Sequence, residues 1–493
     1  MLVSLRIVFV MSPYQNAFFG ELADALGQAL DDIGVDRCLT TSPGDHVVRE
    51  HDVFVLLPPH EYAALEGDSF IADKAVAQRT IGVSAEQPHQ SFFGRNAEAG
   101  ARLGAVLDFS QRAVAAYQRL GVDARHLSFG YVPSWDRVAG STGPRTIETP
   151  ALYFGNNRAR RLPALAMAAD QLSAARARLV VSDPSEPNRV GDVSFFTGEA
   201  KRSLLASTGL VVNIHQSEEP YFEWLRFAEA AHCGAPVLTE TSTDTEPFED
   251  GVHFISFKSG DLGTALIAAL SDSEHLVEVA AAAYARLIES PLAESIIALV
   301  DAANELLVHP PPTSLPARIR TTPVGRNRRV EVQTQRPIGR QRQMIPWLRR
   351  SVSVGPMVVA PPGTSWRRPP AELIEQAGGA SFVSVMCSGV DAAGEPMLEG
   401  LWPWEPWRLL HGQHLGRVLV VDGDLVRAAE HWLGDPIFDD FPHVRIQTYA
   451  ARHGIKGAHV ACPDASLAMP VDPTQGIDDV LAARCVDLVG QPR

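Results

Sequence analysis

The sequence predicts an α/β protein with two tandem doubly wound, Rossmann-like domains and a C-terminal α/β domain. Three observations predict it. Short apolar runs alternate with helical patterns through the first 308 residues, which implies parallel sheets covered by helices. A polar, Pro-containing stretch at 141–150 interrupts the alternation, which then restarts. A sharper break at His309-Pro310-Pro311-Pro312-Thr313-Ser314 is followed by a change in composition. At 493 residues the chain exceeds one ordinary core, so the breaks divide it into 1–145, 150–308 and 318–493.

In the first part, strands are expected at 6–11, 53–57, 80–83, 105–109 and 126–129, with helices at 19–31 and 111–120. In the second, strands are expected at 151–155, 179–181, 210–214, 236–238 and 254–257, followed by Ala-rich helices over about 261–307. In the third, twelve arginines between Arg318 and Arg368 face a single acidic residue, Glu331. Tryptophans then cluster in Trp402-Pro403-Trp404-Glu405-Pro406-Trp407.

Composition narrows the function classes. The net charge of −15 argues against wholesale nucleic-acid binding. Cys38, Cys233, Cys387, Cys462 and Cys485 are scattered and lack CxxC spacing, so neither a disulfide framework nor a zinc site is expected. The N-terminal run LRIVFVMS lacks a signal-peptide cleavage pattern, and no apolar run approaches the ~20 residues that span a bilayer. A cytoplasmic protein is expected.

The most informative stretch is 210–240. It reads as a buried strand, a polar loop, a helix begun near Pro220, a Gly234-Ala235-Pro236 turn and a second strand. Arg226 and Glu229 stand three residues apart and so share one helix face. Ligands of open α/β sheets bind at such loops. Upstream, Gly155, Asn156, Arg158, Arg160 and Arg161 follow the first strand of the second domain and open a helix, an arrangement suited to an anion.

Three segments of the second domain carry a resemblance. Tyr153-Phe154-Gly155-Asn156-Asn157-Arg158-Ala159-Arg160-Arg161, Val212-Asn213-Ile214-His215 and Arg226-Phe227-Ala228-Glu229-Ala230-Ala231-His232-Cys233-Gly234-Ala235-Pro236 resemble the GT-B nucleotide-sugar glycosyltransferases, in particular the CgeB-like group. The likeness covers roughly 1–308. Softer echoes in the first domain are Ser84-Ala85-Glu86-Gln87, Leu107-Asp108-Phe109-Ser110 and Gly130-Tyr131-Val132-Pro133.

The resemblance implies a donor site in the cleft between the two sheets. Glu229 would hold the ribose hydroxyls, since a carboxylate accepts both hydrogen bonds. Arg158, Arg160 or Arg161 would meet the diphosphate, with the helix beginning near Pro220 as a second positive end. His215, Tyr221 and Arg226 complete the donor side. Many retaining members of the wider class place a further Glu eight residues before the ribose-binding one; here Tyr221 stands there, flanked by Glu219 and Glu223. On the acceptor side the candidates are Gly20, in Phe18-Phe19-Gly20-Glu21, and Glu86, with His89 as a general base. Each has a structural alternative: Glu229 as a solvated helix residue, Arg226 as an ion-pair partner, the arginines as an exposed helix start, His215 as a hydrogen-bonded core residue.

The activity implied is transfer of a sugar from a nucleoside-diphosphate sugar to a glycan, lipid or protein, with neither cofactor nor metal. A non-catalytic GT-B scaffold that binds glycan or proteins is one alternative, and a nucleotide-sugar epimerase a second. Residues 318–493 resemble the C-terminal half of a GT-A, family-2-like glycosyltransferase that has lost its metal motif. The strand expected at 357–360 runs into Pro361-Pro362-Gly363-Thr364, without a carboxylate, and Asp422 and Asp424 lie beyond the Trp segment. The arginines of this part are expected either to dock onto the acidic domains, a glycan or an anionic membrane surface, or to form a solvated basic surface.

Overall fold

The computed structural model describes residues 5–139, 145–157, 160–182, 196–308, 315–316, 348–351, 357–378, 380–410, 416–432, 438, 441–468, 481, 485 and 488–489. Arg158 and the arginines from Arg318 to Arg342 fall outside them.

The first sheet contains β1 (Arg6–Val10), β2 (Asp36–Thr40), β3 (Asp52–Leu56), β4 (Thr80–Ser84), β5 (Ala105–Asp108) and β6 (Ala124–His126). They lie parallel in the order β2-β1-β3-β4-β5-β6. Strands β1, β3 and β4 are buried throughout, as continuous apolar runs covered on both faces should be. Two elements differ from expectation. Strand β2 is a half-exposed edge whose polar sequence lacks an apolar run. The strand expected at 126–129 forms earlier, over Ala124–His126, whereas Leu127 and Phe129 are buried as loop residues. Apolar runs report burial, not ladder pairing.

The second sheet contains β7 (Leu152–Asn156), β8 (Arg178–Ser182), β9 (Val211–Asn213), β10 (Val237–Glu240) and β11 (Ile255–Phe257), parallel in the order β11-β10-β9-β7-β8. Both units are therefore doubly wound. The order reverses between β1 and β3 in one and between β7 and β9 in the other, the positions where such sheets open a crevice at their strand ends.

The chain links the units twice. It leaves the first through 130–137 and returns at 290–292. Tyr131 N–H donates to Ser290 O (2.8 Å) and Leu292 N–H to Tyr131 O (2.9 Å). Gly130 is needed there, because a Cβ would lie 2.2 Å from the Ser290 carbonyl. The returning helices Leu292–Ser295 and Ile297–Val308 bury Leu292, Leu299 and Ala303 among Phe9, Leu22 and Leu26 of the first unit.

The third sheet contains β12 (Leu348–Ser351), β13 (Met357–Ala360), β14 (Ser365–Trp366), β15 (Phe382–Val390), β16 (Pro396–Glu399), β17 (Leu419–Val421) and β18 (Gly457–Ser466). It is mixed: β15 pairs with β18 in parallel, and the other pairings are antiparallel. It packs on helices Arg161–Met167 and Ala169–Ala174 of the second unit, so that Leu162, Leu165 and Leu172 share a core with Met386, Leu398 and Trp402. Ser173 Oγ donates to Asp464 Oδ1 (2.7 Å), and Arg367 pairs with Asp170 (2.5 Å). Asp422 precedes helix Gly423–Trp432 and accepts the Asp424 N–H, while Asp424 pairs with Arg427. Among the described residues no group of three or more His, Cys, Asp or Glu side chains is placed to hold a metal, and no helix is long and apolar enough to cross a membrane.

His232 ties the two parallel units together. It ends helix Trp224–His232, is fully buried, and donates from Nδ1 to Ala228 O (2.6 Å). Its Nε2 accepts the Val132 N–H of the first crossing (2.8 Å), and its ring stacks on Tyr131. That acceptor role requires a neutral ring, and burial lowers the pKa from 6.5 to about 4. The stabilisation is complete above the unfolded value and is lost as the pH falls from about 6.5 towards 4, up to about 3 kcal/mol. Chemical denaturation at pH 7 and pH 5 is expected to show a loss in wild type that is much smaller in His232→Gln. Identical pH dependence in the two proteins would refute this role.

Candidate functional site

The C-terminal ends of the first two sheets face each other across a cavity of about 310 Å³. From the first unit come residues after β1 (Asn16, Phe18, Phe19), after β4 (Glu86, Gln87) and after β5 (Phe109). From the second come Gly155 and Asn156 at the end of β7, Arg161, Lys201, Tyr221, Glu223, Arg226 and Glu229. The structure thus brings together seven residues expected from sequence: Glu86, Gly155, Asn156, Arg161, Tyr221, Arg226 and Glu229.

At the end of β7 the backbone is closely packed. A Cβ on Gly155 would lie 2.8 Å from the Tyr153 hydroxyl and 3.6 Å from Arg226 Nη2, so a larger residue would fill this wall of the cleft. Arg161 begins helix Arg161–Met167 and is almost fully buried. It donates from Nε to Ile214 O (2.9 Å), from Nη1 to Asn156 Oδ1 (3.0 Å) and from Nη2 to Glu223 Oε1 (2.7 Å). Arg226 lies over the Phe154 ring, donates to Asn213 Oδ1 (2.7 Å) and pairs with Glu223 Oε2 (3.2 Å). One carboxylate therefore bridges two guanidinium groups. Burial by itself pushes the Glu223 carboxyl up, but Arg226 and Arg161 outweigh it and hold the group below its ordinary range.

The helix expected from Pro220 begins at Trp224, with Glu223 as its N-cap residue. Pro220 to Glu223 cannot be helical because the Pro220 carbonyl accepts Thr243 N–H (2.8 Å) and Tyr221 forms a β-bridge with Thr243. The positive helix end thus falls beside Glu223. Tyr221 is buried and reaches the first unit, where its hydroxyl meets the Ser110 side chain. Below it, Asp108 is fully buried at the end of β5. Oδ1 accepts Ser110 N–H (2.9 Å), and burial raises the carboxyl well above its usual range.

Lys201 is a site residue that sequence reading misses. It lies on helix Gly198–Ala206 and is buried. Its Nζ donates to Glu229 Oε1 (2.5 Å) and to Glu21 Oε2 of the first unit (2.5 Å). Burial raises the Glu229 carboxyl, and the adjacent ammonium opposes that shift. Among the described residues Glu229 Oε2 makes no hydrogen bond, and the side chain borders the cavity. Glu229 is therefore not a solvated helix residue.

The other expected residues stand apart. Gly20 lies in the first turn of helix Ala17–Asp32, with open space where a Cβ would be. His89 is exposed and does not border the cavity. Arg160 does not border the cavity; its guanidinium lies on both oxygens of the buried Glu240 (2.5 and 2.7 Å). His215 belongs to the same network: its N–H donates to Glu240 Oε2 (2.7 Å), and its Nε2 lies 3.0 Å from Ser242 Oγ. Burial lowers its pKa, which keeps the ring neutral.

Among solved structures, HepE of Anabaena in complex with UDP-glucose is similar at 14% identity and a TM-score of 0.43, over 60% of this chain and 100% of that one. Sucrose-phosphate synthase from Thermosynechococcus elongatus is similar at 15% identity and a TM-score of 0.42, over 62% and 99%. No curated protein matches the chain. Residues 160–300 match the model of the family described as "Glycosyl transferase-like". The segment that supplies Arg161, Lys201, Glu223, Arg226 and Glu229 to the cleft is thus a glycosyl transferase-like segment.

Proposed function

We propose that this chain is a glycosyltransferase whose nucleoside-diphosphate sugar donor binds in the cleft. The observation that carries the reading is the Glu229 carboxylate, buried, held through one oxygen by Lys201, with the other unbonded among the described residues, on a side chain that lines the cavity within the glycosyl transferase-like segment. A fixed acceptor oxygen suits the paired hydroxyls of a ribose. A cavity of about 310 Å³ lies within the range of small-molecule sites, roughly 300–1,000 Å³.

In the reaction, the bond from the anomeric carbon to the diphosphate oxygen breaks as an acceptor hydroxyl of a glycan, lipid or protein bonds to that carbon. The hydroxyl proton passes to a base on the first-unit side. Glu86 borders the cavity there and His89 does not, so Glu86 is the better placed base. Arg161 and Arg226, which share the single carboxylate Glu223, supply net positive charge for the leaving diphosphate without a metal or cofactor. A second reading, a non-catalytic binding scaffold, is favoured by one observation: both of those arginines already contact a carboxylate, Glu223.

Titration with UDP, GDP and their sugars separates the readings. One nucleoside diphosphate is expected to bind wild type, and Glu229→Gln to weaken it about tenfold or more, the scale of a hydrogen bond to a charged group. Silence of the wild type towards every nucleotide at millimolar concentration would reject the enzyme and favour the scaffold. The activity is expected to survive a chelator.

Glu223→Gln tests how the arginines are balanced. Leaving two buried guanidinium groups without their carboxylate is expected to cost about 3 kcal/mol in chemical denaturation. The same change removes the internal competitor for an anion, so inorganic pyrophosphate is expected to bind the variant more tightly than wild type. Weaker pyrophosphate binding would exclude these two arginines as its site.

A further inference from the structure

We infer that Lys201 is a positioning residue that couples the donor carboxylate Glu229 to the opposite domain through Glu21. The inference rests on the donor reading of Glu229 given above. Glu21 lies on helix Ala17–Asp32 of the first unit, whereas Lys201 and Glu229 lie on two helices of the second. The ammonium thus joins three elements and two units.

Glu21 makes two contacts on one helix end. Its Oε2 takes the Lys201 ammonium, and its Oε1 accepts the backbone N–H of Gly198. Gly198 is the first residue of helix Gly198–Ala206, and the N-cap residue Thr197 makes no side-chain cap. A helix start leaves N–H groups in need of acceptors and favours a carboxylate. Residues 198 and 201 are three apart and share a helix face, so one carboxylate from the other unit caps the helix and binds its lysine. Phe18 of the first unit adds its ring, 5.9 Å from the ammonium.

The same contacts would link the position of the units to the donor carboxylate. With the units together, Glu21 and Glu229 share the ammonium, each through one oxygen, and among the described residues Glu229 Oε2 makes no hydrogen bond on a side chain that lines the cavity. With the units apart, Lys201 loses Glu21 and Phe18. Without Glu21 the ammonium is no longer fixed between two carboxylates, so Glu229 loses the fixed contact that holds its other oxygen in place. Closure and donor binding then favour each other, a coupling free energy between two sites. Glu21 acts only through Lys201 and Glu229, so it need not touch the ligand.

A double-mutant cycle in the full-length chain tests the coupling. The probe is the nucleoside diphosphate that binds wild type most tightly in the titration above. Glu21→Gln is expected to weaken it about five- to tenfold, and to change affinity less than about twofold in the Glu229→Gln background. A merely structural role for Glu21 would give equal losses in both backgrounds. Equal losses, or an unchanged affinity in Glu21→Gln, would overturn the inference while leaving the donor reading in place. If no nucleoside diphosphate binds wild type, the donor reading fails first, and the inference fails with it. Should Glu21→Gln not fold, Glu21→Asp, one methylene shorter, carries the same comparison.

Discussion

Charge buried where two sheets face each other must be neutralised from within the protein. An ion taken out of water costs several kcal/mol unless partners replace the lost hydration. The cleft follows that constraint closely. Glu223 lies between Arg161 and Arg226, Lys201 lies between Glu21 and Glu229, and Arg160 grips Glu240 behind them. The constraint also sets the distance between the units, because the Lys201 cluster is incomplete without Glu21 from the first. A closed cleft is therefore favoured electrostatically as well as by packing. In the proposed reaction the same constraint would act on the ligand: an entering diphosphate would exchange places with carboxylates, so its binding would depend on the difference between two sets of ion pairs.

What was legible in the sequence divides along physical lines. Both parallel sheets were readable because strands buried on both faces appear as short apolar runs, as in Arg6–Val10 and Asp52–Leu56. Arg226 and Glu229 were readable because helical spacing puts them on one face, and the cavity does take both. Gly155 and Asn156 followed from their place at a strand end. Lys201 and Glu21 were not readable, since they lie 180 residues apart and neither has a local pattern that announces the other. The start of the 224–232 helix was misplaced for a related reason. Proline favours a first helical turn, but here Tyr221 bridges to Thr243 and reaches Ser110, which holds the segment extended. Long-range contacts overrode a sound local preference.

The third sheet braces the helix that brings Arg161 to the cleft. Helix Arg161–Met167 carries Arg161 at its start and is held between the second sheet and β16 of the third. Its Leu162 and Leu165 contribute to a core completed by Leu398, Leu401 and Trp402. The Trp-rich segment is thus structural: Trp402 is buried beneath Arg408, and Trp404 meets Phe382 edge-on. A seven-residue helix has little stability of its own, because nucleation is costly and few hydrogen bonds repay it. Removing the third sheet would expose Leu162 and Leu165 and free the helix to shift, and Arg161 would move with it. Three hydrogen bonds fix Arg161 on Ile214, Asn156 and Glu223, so a shift of the helix disturbs both guanidinium groups at once through their shared carboxylate. The third unit therefore bears on the cleft without lining it, by fixing the start of the helix from which the buried arginine projects.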